Sequence, residues 1–512
     1  MRVPLLAVLV CCAGLGASGQ TNKPASAARR LTLRECIDLA LSRNLDLQIE
    51  HLNAEVARYN LSGAYGVYVP VLSFRAQRDS VDQPSDFDPQ KSSIDFPYEL
   101  RSDTLAPGLK GRLPIGFSYG IDAFTRQDTA RTDLNSNPVD RTLFPGGIRL
   151  TNNYFSEARF TLQQHLLRDF WIDADREQIL LRRRDLKISQ QALRFQIMKI
   201  VLAVELTYED LLAARENVRV QDNALQLRQH LVNETRRRVQ VGDLPPLDAE
   251  QAETQLENTR TALTAAQEAL VAQQNLLKSL LTDNFREWVD IDLQPADALL
   301  AIPESINRSE SFQRAMNNRP DLIEARLAVE KSDVVVRFWK NQLFPNLDLV
   351  GNYGGLGVGE NAGASIHSAL SFTNQEYSYG VILSFPLSNL SERGNYHASQ
   401  ASRRIAKLQL QKAEQDVLVQ ISDFVNRAQS RFSQVGSTRN ARVYAEAALA
   451  AEQKKLQNGL STAFFVLQLQ ETLTAARTAE FQAMADYNKI LAQLAFGEGT
   501  ILEKHRLNVE IK

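Results

Sequence analysis

The longest regular pattern of apolar and polar residues runs from Asp173 to Val241, a stretch without glycine or proline. A sevenfold apolar repeat along a helix keeps one side of it packed against neighbouring helices over its whole length. The pattern predicts one helix of roughly 100 Å, at a rise of about 1.5 Å per residue. The repeating positions are Ile197, Val204, Leu211, Val218, Leu225, Val232 and Val239.

Breaker residues end this helix, and a second helical pattern follows. The stretch Val241–Pro246 contains one glycine and two prolines, which favours a turn. We expect the next helix, Leu247–Asn284, to run back antiparallel. The second half of the chain repeats this order with a helical pattern containing Gly436, a breaker cluster and a return helix: Asn395–Asn458, Asn458–Thr462 and Ala463–Phe496.

Shorter segments alternate between apolar and polar residues, which is typical of strands. Each has about the length of a tilted membrane strand. No lysine or arginine occurs between Lys340 and Arg393, which suits strands with lipid on one side and water on the other. A soluble β-sheet is the alternative. The segments are Val71–Gln77, Leu113–Phe124, Tyr154–Leu162, Asn346–Tyr353 and Tyr377–Phe385.

The chain contains the same motif twice. The sequence SRNLDLQIEHLNAE starts at Ser42 and NNRPDLIEARLAVE starts at Asn317, and each belongs to an amphipathic helix. Pro70 and Pro345 follow the two helices at equal spacing, and a residue before proline favours an extended conformation. We therefore predict helix–strand junctions at Pro70, Pro345 and Pro386, and two repeats of one plan at residues 28–300 and 301–512.

The first residues predict a signal peptide, residues 1–27. One arginine precedes the apolar run Pro4–Leu15, and small residues follow. A lipoprotein signal at Cys11 or Cys12 is the weaker alternative, because neither cysteine follows the small residue such a signal requires. After cleavage only Cys36 remains, which excludes a disulfide within the chain.

The polar segment Ser80–Leu150 leaves two interpretations open. It contains LKGRLPIGFSYGIDAF, which is typical of a hairpin with Pro114–Gly116 at its turn. Either this hairpin adds two strands to the first half, which we favour, or the whole segment forms an external loop.

Composition argues against an enzyme and against nucleic-acid binding. Net charge is -2, and the six histidines are scattered without a metal, nucleophile or phosphate-loop motif. The glycine-rich stretch Gly351–Gly363 lacks the lysine of a phosphate loop, and we interpret it as a strand end and outer loop. No cofactor is expected.

Four stretches together resemble the outer-membrane efflux proteins, the TolC-like exit ducts. Each stretch is a weak signal, but their order, spacing and duplication are specific. They are LTLRECIDLALSRNLDL, RAMNNRPDLIEARLAVE, SFPLSN and LQNGLSTAFFVLQLQETLTAARTAEFQAMADYNKILAQL.

The resemblance implies a mainly α fold with a membrane β-barrel. Long antiparallel helical hairpins would form an α-barrel in the periplasm, capped by a β-barrel that is completed by a homotrimer in outer-membrane lipid. The implied partners are a periplasmic adaptor (membrane fusion) protein and an inner-membrane pump. The implied adaptor-docking tips are Gly242, Asp243, Leu244, Pro245, Gly459, Leu460 and Ser461.

The second tip departs from the family. Family members often have acidic residues around the periplasmic aperture, and the matching positions here are Phe464, Phe465 and Gln468, whereas Asp248 in the first tip matches. The family's latching tyrosine and arginine correspond to Leu456 and Ser461, which disfavours an ionic latch. Phe464 and Phe465 either narrow the aperture as a hydrophobic constriction or pack between helices.

The alternative function is an exported coiled-coil scaffold or adhesin without a pore. Long helices alone fit both functions. The alternating, cation-poor segments favour the duct, because a scaffold has no need of them.

Overall fold

A computed structural model describes residues 28–84, 86–88, 93–95, 97–133, 147–242 and 244–507. The predicted signal peptide (1–27) and Asp243 lie outside the described residues. The chain forms two compact units, each with segments from both halves. The tip unit comprises Met1–Asn44, Val204–Ala301 and Gln434–Asp486, and the sheet unit comprises Leu45–Ala203, Ile302–Ser433 and Tyr487–Lys512.

Helices make up most of the described chain. They are α1 (Leu33–Arg43), α2 (Leu45–Ala64), a 3₁₀ turn (Tyr65–Tyr68), α3 (Ala174–Gln240), α4 (Pro246–Leu281), α5 (Phe285–Trp288), α6 (Arg308–Asn318), α7 (Pro320–Gln342), α8 (Ala362–Leu370), α9 (Leu390–Gln457), α10 (Ala463–Gly497) and α11 (Ile501–Lys504).

Most of the strands lie in two regions of the sequence, before α3 and around α8, and β8 lies between α5 and α6. They are β1 (Ala28–Leu31), β2 (Val71–Gln83), β3 (Asp86–Asp88), β4 (Ser93–Asp95), β5 (Tyr98–Leu113), β6 (Phe117–Asp133), β7 (Ile148–His165), β8 (Asp292–Pro295), β9 (Asn346–Gly359) and β10 (Asn374–Ser384).

The long helices follow the sevenfold pattern. Within α3, Ile197, Val204, Leu211 and Val232 are all at most 5% exposed. Helix α9 begins five residues earlier than predicted and therefore includes a second glycine, Gly394. One helical glycine costs only about 1 kcal/mol, which a 68-residue helix tolerates. None of the described helices is both long and apolar enough to cross a lipid bilayer.

The helix predicted at the start of each half is wrong in one respect, because each is divided into two helices. Asn44 separates α1 from α2, and Arg319 separates α6 from α7; both have extended backbone angles. Asn44 and Arg319 are buried, at 5% and 7% exposure. A buried polar side chain needs hydrogen-bond partners, and these partners hold each break in place.

Six of the described strands form one sheet in the order β10-β9-β7-β6-β5-β2, and each neighbouring pair is antiparallel. The hairpin predicted around Pro114 is confirmed, since β5 and β6 pair with Leu113 opposite Phe117. Leu113–Phe124 is consequently not one strand, because the chain reverses at Gly116, where φ is +70°. Parts of the Ser80–Leu150 segment lie outside the described residues.

The two faces of this sheet differ in polarity. Adjacent rows across the sheet lie on opposite faces, because strand side chains alternate. One row is apolar: Tyr377, Tyr353, Phe160, Ile121, Leu109 and Leu72. The next row is largely polar: Ser378, Asn352, Thr161, Gly120, Lys110 and Val71.

Gly351–Gly359 is the end of strand β9, as predicted, but the outer loop predicted for the rest of Gly351–Gly363 is wrong. Strand β9 continues to Gly359, and helix α8 then lies against it. A Cβ at Gly355 would be 2.1 Å from the Ala369 carbonyl oxygen, and one at Gly357 would be 2.0 Å from that of Ser365. Glycine therefore allows the helix to approach the strand backbone directly. Ser156 and Ser365 add a buried hydrogen bond of 2.8 Å.

The sheet unit also has a hydrophobic core formed by helices alone. Buried residues of α6, α7, α9 and α10 form this cluster: Ala315, Leu322, Val417, Ile421, Val425 and Leu494. The core fixes the first turns of α7, from which the chain continues into β9.

Candidate functional site at the helical tips

Both predicted tips begin with the same backbone turn. Gly459 has φ of +73°, and the Leu460 N–H donates to the Lys455 carbonyl at 2.8 Å. Gly242 has φ of +81°, and its N–H donates to the Val239 carbonyl at 3.1 Å. This left-handed conformation after a helix end favours glycine, which satisfies carbonyls that the helix leaves unpaired. Each glycine therefore reverses the chain into a return helix.

The return helices start differently. Pro245 precedes α4, and the Asp248 N–H donates to the Pro245 carbonyl at 3.1 Å. A carboxylate in the first turn of a helix interacts favourably with its dipole. Helix α10 has no acidic residue in its first turn and instead carries Phe464 and Phe465. Leu244 is partly exposed in the first tip, and Leu460 is 77% exposed in the second.

Val466 and Leu467 anchor the second tip within the tip unit. Val466 is 2% exposed and Leu467 is 7% exposed. They pack into two separate clusters, so one turn of α10 contacts both hairpins. The Val466 cluster contains Ala445, Leu449 and Leu473, and the Leu467 cluster contains Leu231, Val232, Ala252 and Leu256.

Phe464 and Phe465 lie outside both clusters. They are 58% and 51% exposed, and their rings meet edge-on with centroids 5.8 Å apart. A role at an aperture stays a prediction. Packing of these rings between helices, the second interpretation that the sequence allowed, stays a prediction as well.

A groove of about 570 Å³ runs between α4 and α10. Phe464 and Gln468 both line it, whereas Phe465 and Asp248 do not. Two carboxylates that the sequence analysis did not single out, Glu250 and Glu471, line it as well. Glu471 follows the predicted Phe464 by seven positions, so helical spacing could have found it, whereas no predicted site residue lies one helical turn from Glu250 on the same face.

Local contacts hold Ser461 and Leu456 in the second tip. The Ser461 hydroxyl donates to the Glu452 carboxylate, and Lys455 Nζ lies 2.9 Å from the other oxygen of that carboxylate. The Ser461 hydrogen bond and Lys455 together lower the pKa of Glu452. Leu456 packs against the Val466 cluster. These contacts connect the end of α9 with the start of α10 in the second tip.

Ion pairs also connect α3 with α4 in the first hairpin. Arg236 Nε donates to Glu253 Oε1 at 2.7 Å, and this bond raises the pKa of the guanidinium. Deeper in the hairpin, Arg228 is 6% exposed and its Nη1 donates to the Gln255 carbonyl at 2.9 Å. These bonds cross-link the helices that carry the first tip.

The three predicted junction prolines lie at changes of secondary structure. Pro70 lies between the 3₁₀ turn and β2, Pro345 between α7 and β9, and Pro386 between β10 and α9. In the part of the chain that the structure describes, no three histidine, cysteine, aspartate or glutamate side chains converge to hold a metal ion.

Comparison with solved structures shows the same fold. The chain is similar to the outer membrane channel CmeC of Campylobacter jejuni, with 14% identity, a TM-score of 0.65 and 99% and 98% of the two chains covered. It is similar to the outer membrane protein VceC of Vibrio cholerae, with 16% identity, a TM-score of 0.65 and coverage of 91% and 96%.

A third similar structure is the open state of the MtrE outer membrane channel of Neisseria gonorrhoeae, with 15% identity, a TM-score of 0.63 and coverage of 92% and 89%. The predicted fold class of long helical hairpins with a strand region is thus confirmed. No curated protein sequence shows a significant match to this chain.

The family model described as "Outer membrane efflux protein" matches residues 128–282 and 312–499. These segments make up more than half of the chain and include the second tip, both return helices and β7, β9 and β10. The protein belongs to the outer membrane efflux protein family.

Proposed function

We propose that three copies of this chain form an outer-membrane exit duct, which passively conducts substrates that a periplasmic adaptor and an inner-membrane pump deliver to its tips. The proposal depends on one observation above all. Both edge strands of the six-stranded sheet have their full length open to a further strand within the described part of the chain.

The open edges are exposed and carry several apolar side chains. Every residue of β2 is exposed, including Phe74 at 70%, and β10 exposes Tyr379 at 85% and Leu383 at 66%. Unpaired edges are unstable in lipid, because each free N–H and C=O costs several kcal/mol there. Three such sheets, joined edge to edge, would supply the roughly 16–18 strands that leave an aqueous channel in porins.

Helix α2 supports the same assembly. None of its residues, all of them described, is buried. Its exposed apolar residues Leu45, Ile49, Leu52 and Val56 follow the spacing of a coiled-coil seam. A second copy is the partner that such a seam requires. Strand β2, one of the open edges, follows α2 along the chain after the 3₁₀ turn.

The polarity of the sheet supports a water-filled duct in lipid. The face with Tyr353, Phe160 and Ile121 would contact acyl chains. The opposite face carries charged residues such as Lys110, Asp122 and Arg159, which would line the water-filled interior. Lys110 lies 3.5 Å from Asp122, and Arg159 lies 3.1 Å from Glu376.

The tips supply the adaptor-docking surface in this proposal. Gly242, Pro245, Gly459 and Ser461 shape the turns, and Leu460 exposes an apolar side chain. Exposed apolar residues clustered at one end of a protein favour binding to another protein. Nearby apolar residues that are more than half exposed are Val241, Leu247, Phe464 and Phe465.

Conduction requires no chemical step in this chain. The pump supplies the energy, and movement of the hairpin ends at Gly242 and Gly459 opens the duct. Phe464 and Phe465 narrow it, since apolar rings disfavour a continuous water column.

Reconstitution in a planar bilayer tests the proposal. The purified protein should run as a trimer before heating and should conduct ions. Phe465→Ala should raise the single-channel conductance, because it removes the ring from the constriction. Tyr444→Ala is the matched control, since Tyr444 is 73% exposed on α9 of the same unit and should leave conductance unchanged.

A coiled-coil scaffold would behave differently. It would be extracted in buffer without detergent and would pass no current. Absence of conductance from the assembled protein overturns the duct, whereas unchanged conductance of Phe465→Ala overturns only the constriction.

A further inference from the structure

The sheet unit contains an apolar cavity of about 660 Å³ that the duct itself does not require. It lies between the 3₁₀ turn, the start of α3 and the end of α7. Its apolar wall includes Tyr65, Trp171, Ile179, Leu180 and Phe344. This volume and lining suit part of an acyl chain, since burying apolar surface away from water is favourable.

Cations without acidic partners line the same cavity. Arg337 and Lys340 follow each other by one helical turn on α7 and are exposed. Among the described residues neither one has a salt bridge, and no aspartate or glutamate lines the cavity. The cavity therefore favours an anion next to an apolar group.

A second cavity of about 600 Å³ lies on the opposite face of α7 and has different chemistry. Phe338, Trp339 and Gln342 line it, whereas residues 337, 340 and 344 line the first cavity. Helical spacing places these two sets on opposite sides of the helix. The charges in the second cavity are paired, for example Arg112 with Asp175 at 2.8 Å.

The strand register relates the two cavities to the two faces of the sheet. Arg112, Ser118 and Gln163 line the second cavity and belong to the polar face, since Arg112 is opposite Ser118 and Ser118 is opposite Gln163. The second cavity thus opens on the polar side. The first cavity lies on the other side of α7 and shares only Tyr68 with the second cavity, which favours an opening toward the side of the apolar face.

Two aromatic residues add evidence at the first cavity. Trp171 is 79% exposed, and an exposed tryptophan beside cations is typical of a membrane–water interface. Tyr68 Oη is buried and has no hydrogen-bond partner among the described residues. Burial raises the pKa of Tyr68, so its hydroxyl keeps a proton that it can donate.

We propose that this cavity binds one anionic phospholipid of the surrounding bilayer, with the negatively charged phosphate on Arg337 and Lys340 and acyl carbons against Trp171, Ile179 and Leu180. The inference depends on the proposed function, because a duct in the outer membrane brings the apolar side of the sheet next to lipid. Such a lipid would hold α3 and α7 together where they meet the strands.

Native mass spectrometry of the detergent-purified full chain tests this binding. The probe is dilauroyl phosphatidylglycerol, compared with phosphatidylcholine of the same chains and with inorganic phosphate. Arg337→Gln with Lys340→Gln should weaken phosphatidylglycerol binding about tenfold or more, because each cation near a lipid surface contributes about 1 kcal/mol. Trp171→Ala should weaken binding of both lipids.

The matched control is Arg404→Gln with Lys407→Gln. These residues have the same types, the same spacing and the same exposure on α9. The control should bind phosphatidylglycerol as the unchanged protein does. Equal binding by the test and control variants, or inorganic phosphate binding as tightly as the lipid, would overturn the lipid site.

The failures of the two proposals can be distinguished. A protein that conducts ions but binds phosphatidylglycerol no better than phosphatidylcholine retains the duct and loses the lipid site. A protein that binds phosphatidylglycerol selectively through Arg337 and Lys340 but passes no current retains the lipid site and loses the duct.

Discussion

The two halves of the chain make the same hydrogen bond with different residues. Asn44 Nδ2 donates to the Leu280 carbonyl at 3.1 Å, and Arg319 Nη1 donates to the Gly497 carbonyl at 3.2 Å. Leu280 and Gly497 are 217 positions apart, the same spacing that separates the tip glycines Gly242 and Gly459. In each half the residue that divides the first helix binds the end of the return helix.

The second half adds charge to this contact. Arg319 also donates to both oxygens of Asp321, at 3.0 and 2.7 Å, and to Gln420 Oε1 at 2.7 Å. Asn44 is neutral. One backbone arrangement can thus be held either by the side-chain amide of Asn44 or by the charged network of Arg319. The predicted duplication of the chain would produce this equivalence, and it stays a prediction.

The two hairpins differ in the same way, because the second has charged residues where the first has neutral ones. In the second hairpin, Arg442 pairs with Glu480 and lies 3.0 Å from Glu446. At the same 217-residue spacing the first hairpin has Leu225 and Leu263, which are largely buried. Substitutions that give one half the residue type found in the other therefore test whether the two halves are equivalent.

Arg319→Ala should have the largest effect on stability. It removes the four hydrogen bonds that the buried guanidinium donates to Asp321, Gln420 and Gly497, at about 1 kcal/mol each, so the loss should be about 3–5 kcal/mol. Thermal unfolding of the detergent-solubilised protein measures the loss. Arg308→Ala is the control, because Arg308 is exposed and bonds only to Asn426 among the described residues. A loss no larger than in this control would contradict the prediction.

Arg442→Leu should cost about 2–4 kcal/mol, because Glu480 is 7% exposed and would keep only Arg439, at 3.5 Å. Arg442→Leu combined with Glu480→Leu copies the first hairpin and should restore most of that loss. Chemical denaturation of the three proteins compares the midpoints. A double variant less stable than the single one would show that the two hairpins pack differently at these positions.

Asn44→Ala should destabilise the protein by about 1–3 kcal/mol, less than Arg319→Ala, because one neutral donor is lost and one buried carbonyl becomes unpaired. The same thermal measurement applies. Asn53→Ala serves as its control, since Asn53 bonds to Glu50 on the exposed surface of α2. Equal losses from Asn44→Ala and Arg319→Ala would remove the proposed difference between the halves.

Gly459→Ala and Gly242→Ala should each cost about 1–2 kcal/mol, because a left-handed backbone disfavours a Cβ. No atom lies within 4 Å of either Cβ position, so the cost is conformational and should be equal in the two tips. Gly436→Ala, inside α9, should instead stabilise by about 0.5–1 kcal/mol. Thermal unfolding should show a lower melting temperature for the two tip variants and a higher one for Gly436→Ala. A stabilising Gly459→Ala would exclude the left-handed turn at Gly459.

Acidic pH should lower the stability of the second hairpin more than that of the first. The hydrogen bond from Arg477 and the one from Arg442 hold the pKa of Glu446 below its usual value of 4.5. This contribution to stability is present above that value and disappears as pH falls through the lowered pKa. Gln229 occupies the equivalent position in the first hairpin. Glu446→Gln should therefore flatten the fall in melting temperature between neutral and acid pH.

The local pattern of residues was sufficient to predict the long helices and their turns. The sevenfold repeat of α3 and the breaker clusters at Gly242 and Gly459 predicted both hairpins within a few residues. Helical periodicity and left-handed turns depend on neighbouring residues, so they can be read along the chain. The roles of Phe465 and Asp248 at an aperture depend on other copies of the chain and stay predictions.

The order of helices, tips and strands, and the family that this order identifies, could be read along the chain. Long-range packing established that Asn44 and Arg319 divide helices, that α8 lies on the glycines of β9, and that Arg337 and Lys340 face an apolar cavity without acidic partners. Local patterns miss these contacts because the residues that meet are far apart in sequence. Asn44 finds its acceptor 236 residues away, and no local pattern encodes which buried groups will meet across such a separation.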